Sequence, residues 1–350
     1  MVTCVVPGAT TSLRLAAGRH DNDPLQDLAA MQTSAGSGLP PAVYWLRNEG
    51  GSDFSVVLVG SVPAGTAGKI LVIGAADGGR DALAAKTSEG STGRAFAWAP
   101  TPAGGGYTSV LDGGSYDDLT EAKLPGWTAA GLVATRFANS LSSLTTFRDV
   151  SEGSQVSLQY TQTGTSNGWQ AVVAWRDWVM VATNPAASTQ SVTFPSDGGR
   201  EVSSGQINGS WIVAREVDLN DDGDTELFMY RPNPSQYSIY SLPAATAPPP
   251  GSSQTLRRVD GGVVTPGNTF AVGRYGASPL GNLFVASDGG AVRRYTNFQK
   301  LAASWLVDEA DFDAGAGTVM VQVLLADMNN DAKIDLVFVD QLGVIRIHFN

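Results

Sequence analysis

Hydrophobic residues in this chain come in short runs separated by clusters of Gly, Pro, Ser, Asn and Asp, as in KILVIG, QAVVAWR, ELFMYRP, QYSIYSL, DLVFVDQ and GVIRIHF. Runs of this kind, rich in Val, Ile, Tyr and Phe, predict β-strands. Where the apolar residues are consecutive rather than alternating, the strand is buried on both faces. Helical periodicity is nearly absent, and its best instances, residues 81–86 and 118–123, are too short to carry a fold. The expectation is an all-β protein of many short strands.

Two buried runs follow the same polar spacing. VDLNDDGDTELFMY, residues 217–230, places Asp218, Asn220 and Asp222 at alternate positions and then Gly223, Asp224 and Glu226; ADMNNDAKIDLVFV, residues 326–339, repeats it with Asp327, Asn329, Asp331 and Asp335. Calcium takes about six to eight oxygens, so a short loop encloses it only by turning alternate side chains inward. Gly223 permits the sharp turn that brings the Asp224 carbonyl and Glu226 to the far side of the ion. Several carboxylates in so few residues also repel one another unless a cation lies among them. An EF-hand is excluded, because the twelfth position is Met229 or Phe338 instead of Glu and strands follow in place of helices. Magnesium, which prefers rigid octahedral geometry and keeps its waters, suits the loops less well. Oxygens that close a loop on itself leave few open positions for substrate, so the calcium expected here is structural.

The two motifs, Asp218 to Leu227 and Asp327 to Leu336, resemble the FG-GAP/VCBS repeats of integrin-like β-propellers, whose loop has the form D-x-[DN]-x-D-G-x-x-D-L. That resemblance implies a loop opening the innermost strand of a blade. Weaker copies follow the same frame. GRHDNDPLQDLAAM carries Asp21, Asp23 and Asp27 as a third metal set, with Arg19 at the first position, and GRYGASPLGNLFVA keeps only Asn282. Further starts fall at Lys69, Tyr107 and Gln170, which makes seven units spaced by about fifty residues, the size of a four-stranded blade. ELFMYRP, QYSIYSL, TLRRVDG and TFAVGRY are then one blade. Two N-terminal strands, VTCVVPG and TSLRLAAG, complete the last one beside DLVFVDQ and GVIRIHF. The expected architecture is a single domain over residues 1–350, a seven-bladed β-propeller (six or eight blades being the alternatives) closed by N- and C-terminal strands, with the Pro-rich residues 244–251 as a strand-connecting loop.

Composition narrows the partners. The 350 residues hold 41 Gly and 18 Pro, 43% hydrophobic and 16% charged residues, and a net charge of −11. Acidity of that order works against a polyanionic partner, so nucleic acid is excluded. No apolar run approaches the roughly twenty residues of a membrane-spanning helix. The lone Cys4 forms no intrachain disulfide, and a calcium-stapled fold needs none outside the cell. A secreted or cell-surface location is expected, although the N-terminus shows no signal-peptide pattern.

Catalytic signals are weak. His20 lies in a turn and His348 near the C-terminus, with no nucleophile elbow, HExxH or phosphate-cradling glycine motif to join them. The resemblance implies three functions: a carbohydrate-binding lectin, a protein-recognition scaffold of a larger secreted protein, or the body of a polysaccharide lyase or dehydratase, which needs His, Tyr, Arg or a metal converging in one pocket. The expectation is a non-enzymatic lectin, with the scaffold as alternative. Trp45, Trp98, Trp175 and Trp178 sit in strand-like runs and belong to the core. Trp127, Trp169, Tyr237 and Tyr240 are secondary ligand candidates, while Tyr230, Tyr275 and Trp305 near the best loops are the expected glycan contacts.

Overall fold

The computed structural model describes residues 2–5, 13–33, 40–51, 53–75, 77–89, 92–102, 106–138, 141–148, 150, 156–163, 171–183, 189–194, 203–207, 211, 213–220, 222–232, 234–242, 246–247, 249, 256–263, 267, 269–275, 281–286, 291–296, 306–308 and 318–350. Among these there is no α-helix. After β1 (Val2–Val5) the strands fall into antiparallel groups of four. Sheet 1 is β2 (Leu13–Gly18), β3 (Asp27–Gln32), β4 (Ala42–Asn48) and β5 (Phe54–Ser61). Sheet 2 is β6 (Thr66–Ile73), β7 (Ala82–Glu89), β8 (Thr92–Pro100) and β9 (Tyr107–Tyr116), and sheet 3 is β10 (Asp118–Ala122), β11 (Gly131–Ala138), β12 (Leu141–Arg148) and β13 (Val156–Thr163). Sheet 4 is β14 (Ala171–Trp175), β15 (Val179–Thr183), β16 (Thr189–Thr193) and β17 (Ser203–Ile207), and sheet 5 is β18 (Val213–Val217), β19 (Glu226–Pro232), β20 (Ser235–Ser241) and β21 (Arg257–Val263). Sheet 6 is β22 (Thr269–Arg274), β23 (Gly281–Ala286), β24 (Val292–Thr296) and β25 (Leu306–Asp308). Sheet 7 is β26 (Met320–Ala326), β27 (Asp335–Asp340) and β28 (Val344–His348), with β1 as its fourth strand.

The sheets succeed one another in a cycle. Each first strand touches the next, from β2 and β6 round to β26, which touches β2 again. The period-2 alternation of a strand explains how the core divides. Along β19, Leu227 and Met229 pack with Trp175 and Val181 of sheet 4, while Phe228 and Tyr230 pack with Leu283 and Val285 of sheet 6. A second strand is therefore buried on both faces, which is why LFMY and LVFV are unbroken apolar runs. Seven clusters result, one for each neighbouring pair, including Leu15 and Leu28 of sheet 1 against Val337 and Ile347 of sheet 7.

Among the described residues the inner edge of each first strand has no strand to pair with, and side chains of neighbouring sheets serve several of its backbone groups. The Gln322 amide accepts from Leu15 N (2.7 Å) and donates to Leu15 O (2.6 Å), Asp118 Oδ2 accepts from Val172 N (2.9 Å), and Lys69 Nζ donates to Leu119 O (2.6 Å). Buried backbone polar groups left alone are costly, so these bonds help hold the inner strands together.

Several sequence expectations need correction. Of the best helical patterns, residues 82–86 lie in β7 and 118–122 in β10; in β7 Ala82, Leu83, Ala84 and Ala85 are buried between sheets on both faces. The loop at 218–225 does not open an innermost strand; it joins the innermost β18 to the second strand β19. TFAVGRY is accordingly not the fourth strand of its unit but β22, the first of the next. KILVIG and QAVVAWR are first strands, β6 and β14, and YTSVLDG is the outer strand β9. Only β1 joins sheet 7, with Thr3 opposite Arg346 and Cys4 opposite Ile345, while TSLRLAAG starts sheet 1 as β2. The Pro-rich residues 244–251 fall mostly outside the described residues.

Candidate functional site

Among the described residues the first-to-second strand loops lie on one face, and that face is laced by contacts between neighbouring sheets. Sheets 1 and 2 meet where Arg19 N donates to Asp81 Oδ2 (2.8 Å) and Asp81 N to Arg19 O (2.9 Å). Gly74 N donates to Glu121 Oε1 (2.8 Å) and Lys123 N to Asp177 Oδ1 (3.2 Å), tying sheets 2 to 3 and 3 to 4. Trp175 Nε1 reaches Thr225 O (3.0 Å) and Gly281 N reaches Leu219 O (2.7 Å), tying 4 to 5 and 5 to 6. Tyr275 Oη meets His348 Nδ1 (3.1 Å), and Asn48 Nδ2 donates to Met328 O (2.7 Å), tying 6 to 7 and 7 to 1.

The two acidic loops share one hydrogen-bond frame. Asp218 and Asp327 accept through Oδ2 from Gly223 N (3.1 Å) and Ala332 N (2.9 Å). Asn220 and Asn329 accept from Asp222 N (3.3 Å) and Asp331 N (3.2 Å), and these aspartates accept from Asp224 N and Lys333 N, both at 2.9 Å. The buried Glu226 and Asp335 accept from Leu219 N (3.1 Å) and Met328 N (2.9 Å), so their carboxylates fix the loop entrance. The sixth position is left-handed in both loops, Gly223 at φ +81° and Ala332 at φ +63°. A Cβ at Gly223 would meet nothing within 4 Å, so only its backbone demands glycine. Left-handed backbone costs a non-glycine residue about 1–2 kcal/mol. Ala332→Gly is therefore expected to raise stability, and Gly223→Ala to lower it, by about 1 kcal/mol each in denaturant titration. Equal midpoints for both variants and the parent would show that the turn is not strained.

The third loop keeps much of the frame. His20 N donates to Asp27 Oδ2 (2.7 Å), Asp23 N to Asp21 Oδ1 (3.0 Å) and Leu25 N to Asp23 Oδ1 (2.9 Å). Burial pushes the Asp27 carboxyl up to about 6, held back by N–H bonds from Asn48 and His20 and raised further by Asp21 and Asp23. Here the Arg47 guanidinium forms an ion pair with Asp21. Cations also touch the other two loops: Arg176 lies 3.4 Å from Asp224, and Lys333 lies 3.4 Å from Asp331. Among the described residues no three His, Cys, Asp or Glu side chains gather as a metal cluster, so a cation in either acidic loop would draw on Asn oxygens and backbone carbonyls as well as carboxylates.

Each histidine has a tyrosine and an arginine beside it, which the sequence spacing did not announce. His20 Nδ1 stands 3.4 Å from Tyr107 Oη, with Arg80 over the Tyr107 ring and donating to His20 O. His348 meets Tyr275, over which Arg294 lies. Burial pushes Tyr107 up to about 12, and its hydroxyl donates to Asp81 O (3.3 Å), so the phenol keeps its proton at neutral pH and makes a poor base. Both sets bridge neighbouring sheets.

Two of the three expected glycan contacts, Tyr230 and Tyr275, are not on the surface. Tyr230 is buried against Phe270, with its hydroxyl on Ser235 Oγ, and Tyr275 is buried edge-on to Phe284. Tyr237 and Tyr240 are buried too, as are Trp45, Trp98, Trp175 and Trp178; Trp127 is half-buried. Trp305 and Trp169 lie outside the described residues. Tyr230 is thus a buried position of the second strand β19, and Tyr275 follows directly on the inner strand β22.

No family model matches the chain. No curated protein matches it either. Among solved structures the chain is similar to BBS1N, a β-propeller determined in complex with ARL6DN and soaked with lead. The TM-score is 0.55 and the identity 11%, over 99% of this chain and 92% of that one. At that identity the likeness concerns architecture alone, and the architecture is that of a β-propeller.

Proposed function

We propose that this protein is a non-enzymatic, seven-bladed β-propeller scaffold that recognises a protein partner. The observation that carries the reading is the outer edge of sheet 1. Among the described residues β5 has no strand on its far side, and Val56 and Leu58, two residues apart and so on one face, are 38% and 58% exposed. An apolar edge strand left open is an aggregation hazard in isolation and a ready template for strand addition or apolar docking. The propeller of similar architecture was itself determined with a protein bound. Burial of Tyr230 and Tyr275 removes two of the three aromatic faces on which the lectin reading relied. A glycan array probed with the full chain tests the choice. A silent array, with a captured protein that is lost by Val56→Lys/Leu58→Lys at unchanged melting temperature, supports the scaffold. Saturable glycan binding overturns it in favour of the lectin.

Structural calcium belongs to the same reading, one ion with Asp218, Asn220, Asp222, Asp224 and Glu226 and one with Asp327, Asn329, Asp331 and Asp335. Its support is the shared hydrogen-bond frame of two loops rich in acidic and amide oxygens. A third ion with Asp21, Asp23 and Asp27 would compete with the Arg47 guanidinium, which pairs with Asp21. Loops of this exposure suit the millimolar calcium found outside cells, where we place the protein. An ion held only by the folded state at a hundred times its Kd adds about 2.7 kcal/mol. Chelator is therefore expected to lower the melting temperature by several degrees, and Asp218→Ala and Asp327→Ala to remove one ion each with additive losses. Unchanged melting in chelator together with no calcium by elemental analysis would sink the metal reading.

A further inference from the structure

The inner edges of the seven first strands enclose a cavity of about 850 Å³, to which every sheet contributes wall residues. Its polar side chains are ordered by register. The last ladder residue of each first strand, opposite the start of the second, is Gly18 in sheet 1, Ile73 in sheet 2, Ala122 in sheet 3 and Ala326 in sheet 7. Four residues back from these stand Arg14, Lys69, Asp118 and Gln322, so the consecutive sheets 7, 1, 2 and 3 present Gln322, Arg14, Lys69 and Asp118 at one level of the wall. Lys86 lies directly opposite Lys69 in the β6–β7 ladder, and Arg215 of sheet 5 lines the same cavity.

The acids of this wall are engaged, and so is Lys69, whereas the two arginines have no carboxylate partner among the described residues. Asp118 bridges Lys69 (3.1 Å) and Val172 N (2.9 Å), Asp117 accepts from Phe137 N (2.5 Å), Glu121 accepts from Gly74 N, and Glu216 accepts from Arg176 N (2.9 Å) and Thr225 Oγ1 (2.5 Å). Among the described residues Arg14 and Arg215 each donate only to a carbonyl of their own strand, Leu13 O (3.1 Å) and Ala214 O (2.9 Å), and neither has an ion pair with a carboxylate. Arg215 lines the cavity with its side chain exposed to solvent. Burial lowers the Arg14, Lys69 and Arg215 pKa values, and for Lys69 the charges of Arg215 and Lys86 add to the effect that Asp118 opposes. Like charges directly opposite in a ladder destabilise a sheet, so Lys69 and Lys86 are a standing cost in the free protein. The four cations of the lining face four acids, Asp117, Asp118, Glu121 and Glu216, so the wall carries no formal excess of charge; what it offers a ligand is guanidinium groups that no carboxylate pairs among the described residues.

We propose that this central cavity binds a small oxyanion carrying at least two negative charges, a phosphate or polycarboxylate group held by Arg14, Lys69, Lys86 and Arg215. The guanidinium fork fits both head groups, and a cavity of this size holds a small metabolite. The anion would also offset the Lys69–Lys86 repulsion. Gln322 and Asp118 set its bounds, each already tied to a neighbouring strand.

Melting curves of the full chain in sodium phosphate, in sodium citrate and in sodium chloride at matched ionic strength test this. The expected result is a saturable rise in phosphate or citrate beyond chloride, with the larger of the two naming the head group. Arg215→Gln should weaken the apparent affinity by roughly tenfold or more, as expected for a lost charged hydrogen bond. Lys86→Met should raise the melting temperature in chloride while removing the anion response. If Arg215→Gln does not fold, Arg14→Gln stands in for it. Both anions also stabilise proteins generally by exclusion from the surface, a rise that does not saturate and survives substitution. A rise no greater than in chloride, or one that persists undiminished in the Arg and Lys86 variants, overturns the proposal.

Discussion

Deletion of residues 1–6 is expected to lower stability by about 2–4 kcal/mol and to turn a monodisperse protein into one that associates. The ladder that is lost places Val2, Thr3, Cys4 and Val5 opposite Ile347, Arg346, Ile345 and Val344. Each net backbone hydrogen bond contributes about 0.5–1.5 kcal/mol, and a four-residue ladder holds a few of them. The greater consequence is topological. β28 becomes an edge, and Ile345 and Ile347, now fully buried in the cluster between sheets 7 and 1, lie on a strand with one side bare. A folded protein of this size shifts its melting temperature by roughly 2–4 °C per kcal/mol, so the deletion should be visible in a single scan. Size-exclusion chromatography supplies the second readout. A truncated chain that melts like the parent and elutes as the same species would show that β1 is not needed to finish sheet 7.

The strand content and the two acidic loops were legible because both are local. A buried run bounded by glycines, or Asp218, Asn220 and Asp222 at alternate positions, carries its meaning within a few residues. The borders between sheets were not. First and second strands both read as short apolar runs, so KILVIG, an inner strand, looked like the strand that follows a loop, and the unit beginning at Glu226 took in β22 from the next sheet. Tyr230 and Tyr275 failed for a related reason: position beside a loop in sequence does not fix exposure, and Tyr230, placed by alternation along β19, and Tyr275, just past the end of β22, both fall into contacts between sheets. The cavity was out of reach altogether. Arg14, Lys69, Asp118, Arg215 and Gln322 are scattered over more than three hundred residues, and nothing but the cycle of first strands makes them neighbours. The helical hint at residues 81–86 shows the same priority of context over propensity, since alanines that favour a helix in isolation here permit close packing of β7 against two sheets.

Trp175→Ala is expected to produce the largest loss of any single substitution among the described core residues, about 3–5 kcal/mol. The indole is fully buried at the end of β14, packed with Trp178, Val181, Trp211 and Leu227 between sheets 4 and 5. Its Nε1 donates to Thr225 O at 3.0 Å, in the stretch that leads from the acidic loop into β19. The substitution thus opens a cavity and unfastens a loop at once. Trp175→Phe separates the two effects. Phenylalanine refills most of the volume but cannot donate, and Thr225 O is not orphaned because Arg176 Nη2 also reaches it at 3.3 Å. The Phe variant should therefore cost only about 1 kcal/mol, the usual net value of one hydrogen bond. If packing dominates, Ala and Phe will differ by a factor of three or more in denaturant-derived stability. If the Phe variant is as damaged as the Ala variant, the indole N–H is the principal tie between sheets 4 and 5, and the cluster around it contributes far less than its burial implies.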